Sequence, residues 1–239
     1  MTVETPMPSP IKDDEAALTR FLTRFIGDLA GDGFSQKGNL LAYLKLPEGD
    51  RSGDEANVVD MKISQLLIAS LGYTAKEIDY NPQDKNRRAD FVVRIDDYPD
   101  RACFVIEDKN SATERLHHHR DQLQSYMASH RAPRGLLNNG KILIVYDQAA
   151  GSIQTPVLEI SLTDAVALWR GEHIAAPGKT GIAALDTAGV MPSLAAFWRR
   201  FRRESFATLS KLIDDLTLHS DAGNNSPHRP NGATWTPRY

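Results

Sequence analysis

The stretch FVIEDKN, residues 104–110, reads as a buried strand with a charged inner end. Phe104, Val105 and Ile106 are followed at once by Glu107, Asp108 and Lys109. Side chains alternate across a strand. Val105, Glu107 and Lys109 therefore share one face, and Phe104, Ile106 and Asp108 the other. Taken alone, Glu107 and Lys109 could be a plain ion pair on a solvated face. What surrounds them decides between that reading and a working site.

Upstream, residues 89–95 (ADFVVRI) predict a second strand, and the turn chemistry of DDYPD, residues 96–100, joins it to the first as a hairpin. Paired in register, that hairpin brings Asp90 near Glu107. A shorter strand is expected around residues 77–80. Downstream, Ser111 and Glu114 have capping-box spacing and predict a helix to about His130, with Leu116, Leu123, Tyr126 and Met127 on one side. Asn138-Asn139-Gly140 is a turn, KILIVYD (141–147) a buried strand, and PVLEISL (156–162) a further one. Apolar spacing predicts a helix over residues 14–30, ended by Gly31 and Gly33. A second runs over 55–71 with the stripe Val59, Ile63, Leu66 and Leu67, and Gly72 closes it. A late helix is expected over 194–218. The order predicts an α/β fold in which helices cover both faces of a mixed sheet. Around a core of residues 51–165 stand a Pro-rich disordered start (1–12), an N-terminal helical segment (13–50), a C-terminal helical extension (166–219) and a polar tail or linker (220–239).

The 239 residues suit one large domain, and 41% hydrophobic with 25% charged residues is an ordinary globular balance. A net charge of −3 gives no global case for nucleic-acid binding, so such a surface must be a local patch. Cys103 is the one cysteine, which excludes a disulfide or a cysteine zinc site within the chain. No apolar run is long enough to span a membrane, and the N-terminus lacks the pattern of a secretory signal. A soluble, cytoplasmic protein is expected.

Two carboxylates and a lysine converging on a sheet suit a hard divalent cation. Mg²⁺ takes oxygen ligands, commonly one or two carboxylates together with substrate phosphate. It polarises the phosphate and lowers the pKa of a bound water, while a neighbouring lysine orients that water or stabilises developing charge. The chemistry indicated is metal-assisted hydrolysis of a phosphodiester.

Asp90 followed by Glu107-Asp108-Lys109 resembles the PD-(D/E)XK nuclease signature. Gln122 and Tyr126 match the Gln-x-x-x-Tyr element found one helix later in several branches. LIASLGY (67–73) and LLNNG (136–140) with Tyr146-Asp147 resemble one branch in particular. That branch holds the N-terminal nuclease domains of type I restriction motor subunits and of fused type IIG restriction-modification enzymes. The similarity covers about residues 55–148, and departs from the pattern at Ala89, where the family has proline, and at Asn138, where that branch has threonine. The resemblance implies a restriction-endonuclease-like fold and a Mg²⁺-dependent DNA endonuclease, with Mn²⁺ as a substitute. It implies Asp90, Glu107 and the Asp108 carbonyl as metal ligands, Glu55 joining through water, and Lys109 acting on the attacking water. Gln122 and Tyr126 would place the lysine or grip double-stranded DNA. Motor, methyltransferase or specificity subunits are the implied partners.

Other readings stand beside these. Glu55 could serve only the helix dipole, and Asp90 could be an ordinary strand-entry acid. His117-His118-His119 are consecutive helix residues that point apart, and so are read as neutral surface histidines. Arg87 and Arg88, and Arg199, Arg202 and Arg203 of FWRRFRRESF, are candidate phosphate contacts; the second group could equally dock another domain or face solvent. The rival functions are a non-cleaving DNA-binding or assembly module and an RNA or repair nuclease on the same scaffold.

Overall fold

In the computed structural model, which describes residues 10–51, 54–84, 87–95, 101–148, 155–171 and 189–208, FVIED becomes a central strand. Phe104–Asp108 forms β5, and all five residues are buried. On one side it pairs antiparallel with β4 (Phe91–Val93); on the other it pairs parallel with β6 (Arg134–Asn138). β1 (Ile78–Tyr80) extends the sheet beyond β4, and β7 (Ile142–Asp147) and β8 (Leu158–Ser161) extend it beyond β6. The product is an open six-stranded mixed sheet in the order β1-β4-β5-β6-β7-β8. A separate two-stranded ribbon, β2 (Gln83–Asp84) with β3 (Arg87–Arg88), precedes β4.

Strand alternation sorts the core into two layers. Phe91, Val93, Phe104, Ile106, Leu136, Leu143 and Val145 join one cluster. It is completed by α1 (Pro10–Ala30), α2 (Leu40–Leu44), the helix over residues 55–70, α5 (Leu162–Trp169) and α6 (Val190–Phe201). Val92, Val105, Leu137, Ile144 and Tyr146 face the second cluster, filled by Leu123, Tyr126 and Met127 of α4 (Arg120–Ser129). Parallel strands need a crossover, and α4 supplies it between β5 and β6. α4 comes in close because β6 carries glycine: a Cβ on Gly135 would lie 2.7 Å from Met127 Sδ and 2.9 Å from Leu123 Cδ2. The mixed α/β architecture, with helices on both faces, is the one expected from the sequence.

Several elements differ from expectation. β6 was not expected, and of its residues only Asn138 falls in the turn predicted at 138–140. Its apolar core, Gly135-Leu136-Leu137, is short and buried on both faces, so it shows no alternation. The helix over 55–71 is wound in two ways. Residues Glu55–Ser64 form a π-helix and Gln65–Ser70, α3, returns to α-helical winding. The Ser111–Glu114 capping box does not form, because the Ser111 amide donates to Asp54 Oδ2 at 2.6 Å and its hydroxyl accepts from Arg51. A turn at Leu116–His119 precedes α4 instead. The capping box that does form joins Thr74 and Glu77. α6 ends at Phe201, where Arg202 turns extended (φ −59°, ψ 143°), so no single helix runs over 194–208. α1 starts at Pro10, where a proline with no amide to satisfy suits a first helical position. The expected turn at 96–100, most of the disordered start and the tail over 220–239 lie outside the described residues.

Candidate functional site

The β4–β5 hairpin sets the geometry. Its register pairs Phe91 with Ile106, so Asp90 stands opposite Glu107. The Asp90 amide donates to the Ile106 carbonyl at 3.2 Å, and Asp90 Oδ2 accepts the Asp108 amide at 2.6 Å. Glu107 is 2% exposed, with Oε1 hydrogen-bonded to Lys109 Nζ and Oε2 buried without a partner. Lys109 is held in turn by its own amide, which donates to the Asn138 carbonyl at 2.8 Å. Burial, and then the Asp90 charge, push the Glu107 carboxyl up to about 7. Burial also lifts Asp90 to about 6, although the Asp108 amide opposes the shift. Burial alone would lower Lys109, but the Glu107 hydrogen bond and the surrounding acids outweigh it and the pKa rises.

Asp108 serves the opposite face, as alternation requires. Its side chain is fully buried, and Oδ1 accepts from Ser64 Oγ at 2.8 Å and Asn138 Nδ2 at 2.9 Å. Only its backbone is therefore placed to join Asp90 and Glu107. Asn138 also accepts the Gly140 amide at 2.8 Å, with Gly140 at φ 79°. The NNG turn thus locks the end of β5 as well as reversing the chain.

The π-helix brings further acids to the strand end. Its bonds run i to i+5, as from the Gln65 amide to the Asp60 carbonyl. This wider winding aligns residues four to five apart, where an α-helix aligns three and four. Glu55 Oε2 accepts the Asn110 amide at 2.9 Å, Asp60 Oδ2 accepts from the Tyr80 hydroxyl at 3.1 Å, and Ser64 binds Asp108. Asp60 is 4% exposed and its Oδ1 has no partner. Burial raises its pKa, and that of Asp108 rises with burial and with the Asp60 charge. Sequence reasoning missed Asp60, because on an α-helix position 60 lies off the stripe of 55, 59 and 63. The available signal was an aspartate set between the apolar Val58-Val59 and Met61.

On the other flank, Gln122 Nε2 donates to the Tyr126 hydroxyl at 2.9 Å, which confirms that these side chains share a face of α4. Tyr126 is buried and Gln122 exposed. His119 is half-buried and stands within hydrogen-bonding reach of Gln122; burial and the nearby Lys109 charge lower its pKa. It therefore differs from His117 and His118, which are exposed and pack ring edge to face.

Asp90, Glu107, Lys109, Glu55 and the Asp108 backbone are thus gathered at one end of the sheet. Among the described residues no group of three or more His, Cys, Asp or Glu side chains is drawn together closely enough to hold a metal ion by side chains alone. Two carboxylates do fit a hard cation. The unpartnered Glu107 Oε2 is an oxygen donor still to be satisfied, and burial lifts both carboxyls.

The basic residues are placed differently. β3 carries Arg87 and Arg88, three and two residues ahead of Asp90, and Arg88 is exposed. Arg199, Arg202 and Arg203 are not brought to the site. Arg202 pairs with Asp14 and stacks over Trp198, its Cζ 4.5 Å from the ring centre, and Arg203 binds the buried Glu77 at 2.7 Å. The same segment holds Arg134, whose Nη1 donates to the Arg200 carbonyl at 2.7 Å. Arg134 is level with Phe104 in the β5–β6 register, so this cluster marks the far end of β5, roughly 13 Å from Asp108 at strand rise.

No family model and no curated protein matches the chain. Among solved structures it is similar to the cryo-EM structure of a DrdV–DNA complex, at 13% identity over 65% of this chain and 92% of that one, with a TM-score of 0.34. A likeness that slight bears on neither the fold nor the chemistry of this chain.

Proposed function

We propose that this domain hydrolyses phosphodiester bonds in DNA with Mg²⁺, or Mn²⁺ in its place, as the cleavage module of a restriction or phage-defence system. The observation that supports it best is Glu107: a buried carboxylate with one oxygen unpartnered, Asp90 opposite it and Lys109 bonded to its other oxygen. The system assignment leans on the resemblance of the 55–148 segment to restriction nuclease domains. Motor, methyltransferase or specificity subunits belong to that reading.

In this scheme Asp90 and Glu107 hold the cation, with the Asp108 carbonyl as a third oxygen and Glu55 reaching it through water. When bound, the cation supplies Lewis-acid polarisation of the phosphate and a more acidic water. Lys109, held by Glu107, places its ammonium where it orients the attacking water and offsets charge on the phosphate oxygens. Gln122, exposed and hydrogen-bonded to Tyr126, would contact the DNA backbone, and Arg87 and Arg88 would extend that contact. The Asp108 side chain, fixed by Ser64 and Asn138, keeps the strand end rigid and takes no part in the chemistry.

The test is a supercoiled-plasmid assay with Mg²⁺, with EDTA, and with Lys109→Ala. Nicking or cutting that needs both Mg²⁺ and Lys109 supports the assignment. Cutting that survives Lys109→Ala removes the catalytic role. A folded protein that neither cuts nor takes up Mg²⁺ by calorimetry rejects the nuclease reading.

A further inference from the structure

Tyr80 is 42% exposed, yet it is not free to move. Its hydroxyl donates to Asp60 Oδ2 at 3.1 Å, and its ring lies on Phe91, centroids 5.1 Å apart at 44°. Phe91 is also its register partner across β1 and β4. The next residue, Asn81, is left-handed (φ 49°) and donates its amide to the Asp90 carbonyl at 2.8 Å. The hydroxyl and the backbone after it are therefore both held, with the ring on the Phe91 side of the hairpin and the next residue bonded to Asp90. Among the described residues the other large exposed apolar side chains are Met61, Leu168 and Trp169, and none of them is in contact with Tyr80 in any ring pair.

A fixed aromatic face beside a phosphodiester site has few possible occupants. Asp60, which accepts from the Tyr80 hydroxyl, and nearby Asp90 are both acids, which disfavours a phosphate at that spot. The hydroxyl is already used by Asp60. What remains is a neutral π-surface, which suits a nucleobase. A base inside a duplex is stacked on both sides and has no face to offer, so only an unstacked base fits. Resting on the nuclease reading above, we infer that Tyr80 is a stacking platform for an unpaired base next to the scissile phosphate. The preferred substrate is then duplex DNA with an unstacked nucleotide at the cleaved step, such as a bulge, which requires the phosphodiesterase chemistry of that reading and not its restriction assignment.

The test compares a bulged duplex with a fully paired duplex of the same sequence. Affinities are measured with Mg²⁺ in a Lys109→Ala background, and cleavage rates in the otherwise wild-type protein. Tyr80→Leu is set against Tyr80→Trp, with thermal melts confirming that each variant folds. The expected result is a bulge-over-duplex preference that falls about 5- to 150-fold in Tyr80→Leu and survives in Tyr80→Trp. Should Tyr80→Leu fail to fold, a preference lost in Tyr80→Trp would count against the platform. Cleavage with the same bulge preference in Tyr80→Leu as in wild type, or with none in wild type, overturns this inference and leaves the nuclease reading standing. Failure to cut or bind either DNA overturns both.

Discussion

The Asp90 carboxylate and the Asp108 amide are hydrogen-bonded at 2.6 Å across the β4–β5 hairpin. One oxygen of Asp90 thus fixes the backbone at the strand end while the acid remains beside Glu107. Position and charge are separable here. Asp90→Asn keeps an acceptor for the amide and removes the charge. It is expected to change stability by no more than about 1 kcal/mol and to abolish Mg²⁺ uptake. Calorimetry with Mg²⁺ on the folded variant checks this; undiminished heat would move the cation away from Asp90.

The raised carboxyls give the metal-free protein a pH signature. With Glu107 at about 7 and Asp90 at about 6, the folded chain holds protons that the unfolded chain releases near pH 4. Stability contributed by these groups is present below that range and is lost as pH rises to about 7. Melting temperature in EDTA should therefore fall between pH 5 and pH 8. Glu107→Gln should flatten that slope and recover on the order of 2 kcal/mol at pH 8. Cleavage should run the other way, rising through the same window, because only the ionised acids bind the cation. Rate and melting profiles in parallel would decide against the assignment if both rose together.

Gly135 lets α4 lie against β6. Gly135→Ala places a methyl group 2.7 Å from Met127 Sδ and 2.9 Å from Leu123 Cδ2. Overpacking of this kind destabilises by about 1–3 kcal/mol. Because α4 also carries Gln122 and Tyr126, a drop in activity should accompany the lower denaturation midpoint. An unchanged midpoint would mean that α4 sits further from the sheet.

Arg203 and Glu77 tie the segment after α6 to the sheet edge. Burial would raise Glu77, yet the Arg203 hydrogen bond and the Thr74 contacts outweigh it and the pKa is lowered. Arg203→Ala leaves a buried carboxylate without its cation and is expected to destabilise by about 1–3 kcal/mol. Titration of DNA binding against salt should give the same slope for Arg203→Ala as for the wild type. A shallower slope would instead put this arginine on phosphate.

The local pattern was readable wherever one face of an element was buried and the other was not. The alternation of FVIEDK placed Glu107 and Lys109 on one face and Asp108 on the other. The hairpin register brought Asp90 opposite Glu107, as the turn chemistry before Ala102 suggested. The stripe on α4 predicted the burial of Leu123, Tyr126 and Met127, and so the placing of Gln122.

What the linear pattern did not contain came from contacts distant in sequence. β6 is flanked on both sides and covered on both faces, so its leucines carry no period to read. Ser111 has capping-box spacing, but Asp54 and Arg51, more than fifty residues away, claim its amide and hydroxyl first. Arg202 and Arg203 look like free cations in FWRRFRRESF until the fold delivers Asp14 and Glu77 to them. Asp60 lies off the apolar stripe of Val59, Ile63, Leu66 and Leu67, and the linear pattern gives no sign of Tyr80, from whose hydroxyl it accepts. The sequence by itself determined the two-faced strand, its hairpin and the acid–lysine set, because side-chain alternation is a local property of the chain. The tertiary structure decided which charges are already neutralised and which carboxylate oxygens are left without a partner, because burial and pairing depend on residues that the chain brings together only by folding.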